Sequence, residues 1–194
     1  MEEELKSNFV SLRNRVWKSY KSRINAAERL KGKNEFIAFL SIYYSAILAA
    51  VSILNYVNKS ENMDVFSIVL SVMVTILFLY FEGRNYKERY LKMKENYNNI
   101  NLLYYDIENS ISLKQIDINK FNEFSEKYIK LLGSVENHSE YDYIKYALKD
   151  SEVKIEFKDI LKYYFRVTIS FVIKAIVTII PTFVLGISLF QLLF

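Results

Sequence analysis

The chain contains no cysteine, one proline, one histidine and four glycines among 194 residues. Without cysteine there is no disulfide framework and no thiolate chemistry. One histidine leaves little material for imidazole catalysis, or for a metal site that needs several converging ligands. Four glycines are too few for a glycine-rich phosphate cradle. His138 stands in ENHSEYDY beside Glu136, Glu140 and Asp142. The favoured reading there is a turn or cap network, in which Asn137, His138 and Ser139 bond the backbone. No catalytic residue, metal ligand or cofactor is expected, and the chain reads as a non-enzyme.

What is present is strongly segregated. Hydrophobic residues make up 52% of the chain and charged residues 25%. Between Phe36 and Phe81 charges occur only at Lys59, Glu61 and Asp64, and from Val167 onward only at Lys174. Phe36 to Tyr56 is 21 uncharged residues, enough to cross a hydrocarbon core roughly 30 Å thick. Val65 to Phe81 adds 17, joined to the first run by VNKSENMD as a tight antiparallel hairpin. A third span is placed at Ala175 to Phe194, with Lys174 at its boundary reaching toward headgroups. The first apolar run starts after nine Lys or Arg and is too long for a signal-peptide core.

Four segments follow: 1–35, a cytoplasmic amphipathic helix; 36–81, the transmembrane hairpin; 82–166, a cytoplasmic helical region; and 167–194, a C-terminal transmembrane segment. Lys and Arg number nine before the first span, one in the connector and fifteen in 82–166. Both large segments are therefore expected inside, the N-terminus included. Residues 1–35 also hold five Glu, whereas fifteen acidic residues balance 82–166. The surplus positive charge lies just before the membrane, where it suits anionic lipid and is too small for duplex DNA.

Every element reads as helix, so the fold class is an all-α integral membrane protein. Residues 5–31 space Leu5, Phe9, Leu12, Val16, Tyr20, Ala27 and Leu30 as one amphipathic helix leading into the first span. It either packs on the central helices or lies on the membrane. Tyr86, Tyr90, Met93, Tyr97, Ile100, Tyr104, Ile107 and Ile111 alternate in steps of four and three, a heptad seam. That seam predicts one continuous helix over 82–111, pairing either within the chain or with another copy. Asp117 or Asn119 caps a further helix that Gly133 stops, and a last helix from about Phe157 leads into the third span.

Small and hydroxyl residues form stripes inside the spans. Ala38, Ser41, Ser45, Ala49 and Ser52 share a face of the first, Ser67, Ser71 and Thr75 of the second, and Thr178, Thr182 and Gly186 of the third. Pro181 is expected to kink that last helix. Such stripes serve close helix packing or line a narrow polar pore without a charged ring. Tyr44 and Ser45, with Ser67, Ser71 and Thr75, are the candidates for a pore or assembly face. Tyr44 is placed to donate its hydroxyl across a helix contact, and Tyr43 to pack elsewhere.

RVWKSYKSRINAAERL followed by FIAFLSIYYSAILAAVSI, and the later ENHSEYDY, resemble the SLATT family of bacterial two-helix membrane effectors. The likeness rests on Trp17, Arg23, Arg29 and Leu30, the YYS of the first span and the ENHS stretch, and runs to about Leu148. A third span departs from a plain two-helix domain. The resemblance implies an antiphage effector of the bacterial inner membrane that self-assembles and perforates or disrupts it, killing or arresting the cell. It also implies a separate sensor or signal-producing protein, a cyclic-nucleotide synthase or reverse transcriptase system, or its nucleotide or nucleic-acid product. The alternative is a non-pore scaffold or anchor recruiting a partner enzyme through its cytoplasmic helices.

Overall fold

The computed structural model describes residues 2–58, 61–150 and 153–193. Among them there is no strand and the order is α1 (Glu2–Asn58), α2 (Glu61–Glu82), α3 (Tyr86–Ser112), α4 (Ile118–Gly133), α5 (Glu140–Ala147) and α6 (Phe157–Leu193). Three stretches, carried by α1, α2 and α6, are long and apolar enough to cross a membrane. The chain divides into two compact units, Met1–Lys31 with Lys87–Tyr163 and Gly32–Tyr86 with Tyr164–Phe194.

The first unit is a bundle of the early part of α1 with α3, α4 and α5. Its core joins Phe9, Leu12 and Val16 of α1 to Ile100, Leu103 and Ile107 of α3 and to Phe124 and Tyr128 of α4. Burying each such side chain contributes about 1.5–3 kcal/mol. Met93, Ile100 and Ile107 of the α3 seam are buried within the chain. Tyr97 meets Tyr20, ring centroids 6.1 Å apart, and Tyr104 meets Trp17 at 4.9 Å. The deepest register is nevertheless Met93, Asn96, Ile100, Leu103, Ile107 and Ser110, while Tyr86, Tyr90, Tyr97 and Tyr104 are only half-buried along one side. The offset arises because α3 touches both α1 and α4, so its buried face extends round the helix beyond the aromatic stripe.

Asp117 caps α4, accepting from the Lys120 backbone N–H at 2.9 Å, and the helix ends at Gly133. The continuous helix expected over 82–111 is interrupted. α2 stops at Glu82, and the backbone N–H groups of Gly83, Arg84 and Asn85 turn back to Leu79, Phe81 and Glu82. Asn85 has φ 49°, a left-handed conformation that a short polar side chain tolerates. The apolar run and the heptad pattern are thus separate helices joined through EGRN. Asn85→Val should lower the thermal midpoint at a cost of about 1–2 kcal/mol, and Asn85→Gly should not. Circular dichroism melts in detergent compare the two.

In the second unit α1 reaches Asn58 and α2 begins at Glu61. Near that end the buried Asn55 amide donates to Ser67 Oγ at 3.0 Å, tying α1 to α2. α6 runs unbroken through Pro181.

Candidate functional site

Two polar clusters stand out, one in each unit. The first surrounds Arg23, which is fully buried on α1. Its guanidinium donates to Leu131 O and Leu132 O at 3.0 Å each, and to Asn96 Oδ1. Leu131 and Leu132 lie in the last turn of α4, where carbonyls lack helical partners and the dipole favours positive charge. Asn96 Nδ2 donates to Leu131 O at 2.7 Å and to Ser134 Oγ at 2.8 Å, closing the network. Burial lowers the Arg23 pKa from its ordinary value.

Two turns along α1, Arg29 grips Asp142 through Nε to Oδ1 and Nη2 to Oδ2, both 2.9 Å. Asp142 is fully buried and also completes a capping box, accepting from the Ser139 backbone N–H and hydroxyl. Asn25 Nδ2 donates to the Asp142 carbonyl at 2.9 Å. Burial alone would raise the Asp142 carboxyl, but the Arg29 and Ser139 bonds outweigh it and hold it below the ordinary carboxylate value. The bond to Asp142 likewise raises Arg29. Arg89 and Glu136 pair at the surface, 2.6 Å apart.

The motif residues thus converge. Leu30 is buried, Trp17 packs against Tyr20 and Tyr104 with Lys21 over its ring, Arg29 and Asn25 hold Asp142 of the ENHSEYDY stretch against α1, and Arg23 holds the end of α4. Ser139 caps α5 as expected. His138 Nδ1, by contrast, is buried with no hydrogen-bond partner among the described residues. Burial first, and then the Arg23 charge, push its pKa below the usual 6.5, while Asp142 pulls the other way. The unfolded chain therefore takes up this proton before the folded chain does, and stability falls as pH drops below 6.5. Asp142 adds a further loss only lower, as pH falls through its depressed value. Melts of the native chain between neutral pH and about pH 5 should show the first loss, and His138→Gln should flatten it.

The second cluster lies in the spans. Pro181 has no N–H, so the Val177 carbonyl four residues earlier has no helical donor. The Tyr44 hydroxyl donates to that carbonyl at 2.8 Å. Tyr43 also turns to α6, donating to Thr178 O at 3.0 Å and meeting Thr182 Oγ1. Its expected packing elsewhere is corrected by this contact, which arises because two successive tyrosines reach adjacent carbonyls of one helix. Ser67 is buried against Asn55. Ser45, Ser71 and Thr75 instead bond their own helix, to Ser41 O, Ile68 O and Ser71 O at 2.8 Å each. Ser45 and Thr75 are exposed, as are Ala49 and Ser52.

Fold and clusters together define an all-helical membrane protein with a helical bundle held by the buried Arg23 and the half-buried Arg29. The chain belongs to the SMODS and SLOG-associating 2TM effector domain family 5, whose model matches residues 5–189. The match includes most of α6, so the third apolar helix lies within the matched region although the family's name counts two. The family is one of effector domains, its name points to SMODS and SLOG partner proteins, and membership implies an effector role in antiphage defence. No curated protein and no solved structure matches the chain.

Proposed function

We propose that the protein is the membrane-permeabilising effector of a bacterial antiphage system, seated in the inner membrane with its N-terminus inside. When a separate sensor or signal-producing protein detects infection, copies assemble and open the membrane, and the cell dies or stops growing. The observation that carries this reading is the hydroxyl-bearing face of α1 and α2. Ser45 and Thr75 are exposed, and each satisfies its hydroxyl on its own backbone. A face satisfied in this way is stable in lipid, yet it offers weakly polar oxygens to a pore once copies assemble. Tyr44 and Ser67 support that face from inside the chain, and Ser71 continues it.

The break at 83–85 leaves no continuous helix from α3 into α2. α1 carries Arg23, Arg29, Tyr43 and Tyr44 on one uninterrupted helix, so a partner that disturbs the Arg23 and Arg29 clusters acts on the tyrosines through it. The scaffold alternative relied on the α3 seam, whose Met93, Ile100 and Ile107 are buried in the chain's own core. Expression with the native neighbours and phage challenge should collapse membrane potential and admit an impermeant dye. Retained potential in infected cells that still make the protein would sink the proposal.

A further inference from the structure

The chain's single tryptophan, Trp17, borders a groove between α1 and the end of α5 that lies wholly within the first unit. The groove measures about 420 Å³, in the range of small-molecule sites. Lys21 and Glu28 line it from α1, Tyr146 from α5, and Lys149 and Asp150 from the turn that follows. The two carboxylates already hold partners. Glu28 pairs with Lys145 at 3.0 Å, and Asp150 accepts from the Tyr146 hydroxyl at 2.6 Å. The two ammonium groups of the lining do not. Neither Lys21 nor Lys149 forms an ion pair among the described residues.

Lys21 is held by rings instead, its Nζ 4.3 Å from the Trp17 centroid and 5.5 Å from that of Tyr20. Just outside the groove Arg15 and Lys18 are exposed, and they too form no ion pair among the described residues. Arg15, Lys18 and Lys21 lie within about 120° of one another round α1, a strip of cations that leads to Trp17. Such a strip draws an anion. The lining then selects among anions. A carboxylate-rich peptide would bring like charge against Glu28 and Asp150. A lipid headgroup phosphate has no ring to lay beside Trp17. A nucleotide has the phosphate for the ammonium groups, a planar base for the indole, and N–H donors that a carboxylate accepts.

We propose that this groove binds a nucleotide, free or as an unpaired residue of a strand, its phosphate held by Lys21 and Lys149 and its base beside Trp17. The ligand then sits on the seam where α1 grips α5. Asn25 in the same lining donates to the Asp142 carbonyl, and Glu28, paired across the seam with Lys145, directly precedes Arg29. Occupancy therefore bears on the contacts that hold Asp142. As the entry point of a signal, the groove rests on the effector reading proposed above and names the class of molecule that carries the signal.

Because Trp17 is the only tryptophan, its fluorescence reports on this groove alone. The full chain in detergent is titrated with AMP, GMP and a short oligothymidylate. Saturable quenching by a mononucleotide supports the site with a free nucleotide as its ligand, and quenching by the oligothymidylate alone supports it with a strand. Lys21→Gln and Lys149→Gln should each weaken half-saturation about tenfold, the loss of one ammonium–phosphate bond. Lys92→Gln, which removes a cation paired with Glu88 on α3, should leave it unchanged. An equal loss in Lys92→Gln would mean attraction to any basic surface and would overturn the assignment. Pyrophosphate binding as tightly as the nucleotides would mean a bare anion site and would overturn it too. So would a response to polyglutamate or to phosphatidylglycerol vesicles without one to any nucleotide, or no response at all. A chain that binds nucleotide but leaves membrane potential intact on infection refutes the effector reading alone. One that permeabilises the membrane, yet answers no nucleotide when purified, refutes the groove alone.

Discussion

Replacing Asp142 with alanine should be the most damaging single change in the first unit. The carboxylate is fully buried, accepts two bonds from Arg29, and accepts the backbone and hydroxyl of Ser139. Its removal leaves a partly buried guanidinium without a counter-charge and α5 without its cap. Breaking a buried pair from one side costs about 3–5 kcal/mol, and the partial exposure of Arg29 places the cost at the lower end. At about 2–4 °C per kcal/mol for a chain of this size, the thermal midpoint should fall by roughly 6–12 °C. Asp142→Asn keeps the shape and an acceptor and should lose about half as much, since bonds to charged groups contribute about 1.5–3 kcal/mol. A midpoint within error of the native value for Asp142→Ala would mean that water replaces both partners, and that the motif residues do not hold α5 to α1.

Tyr44→Phe should weaken the membrane unit through one carbonyl. Val177 O has no helical donor because residue 181 is proline, and the Tyr44 hydroxyl supplies one at 2.8 Å. In lipid no water replaces it, so the loss should be about 1–2 kcal/mol. The cause is specific and can be isolated in a double-mutant cycle. Pro181→Ala restores the N–H of residue 181, and in that background Tyr44→Phe should cost almost nothing. Equal costs in both backgrounds would show that the hydroxyl acts elsewhere. Tyr43→Phe should cost less in either, because Thr178 O already accepts from Thr182 Oγ1. If the spans open during assembly, Tyr44→Phe should also lower the activation needed for dye entry, since the native bond holds α1 to α6 in the single chain.

Much of this architecture was legible in the residues. The spans follow from charge segregation, α4 from Asp117 and Gly133, and the bundle core from helical spacing of Phe9, Leu12 and Val16. The polar clusters were harder to see, for a physical reason. On α1 the inward register runs Phe9, Leu12, Val16, Ser19, Arg23, Ala26, Leu30, an unbroken alternation of three and four. A pattern built on hydrophobic residues skips Ser19 and Arg23 and settles on Tyr20 in place of its neighbour Ser19. On α3, Asn96 is passed over in favour of Tyr97 for the same reason. Periodicity identifies which position faces inward only when the residue there is apolar. A polar residue in that register becomes recognisable once its partner, here the end of α4, is in place. The Tyr44 contact needed two distant facts together, a tyrosine on one span and the carbonyl left open by a proline on another.

The unbroken run of α1 has a consequence for what the chain can tolerate in length. Tyr44, which reaches α6, and Asn55, which reaches α2, are held in phase by the helix between them. One residue inserted there changes no side chain, yet it turns everything beyond it by about 100° and shifts it by about 1.5 Å. Asn55 would then face away from Ser67, while Tyr43 and Tyr44 kept the carbonyls they now reach. Spacing along this helix is therefore as much a constraint as the identity of any residue on it, and a substitution at the exposed Ala46 or Ile53 should be borne far better than a single insertion between Tyr44 and Asn55.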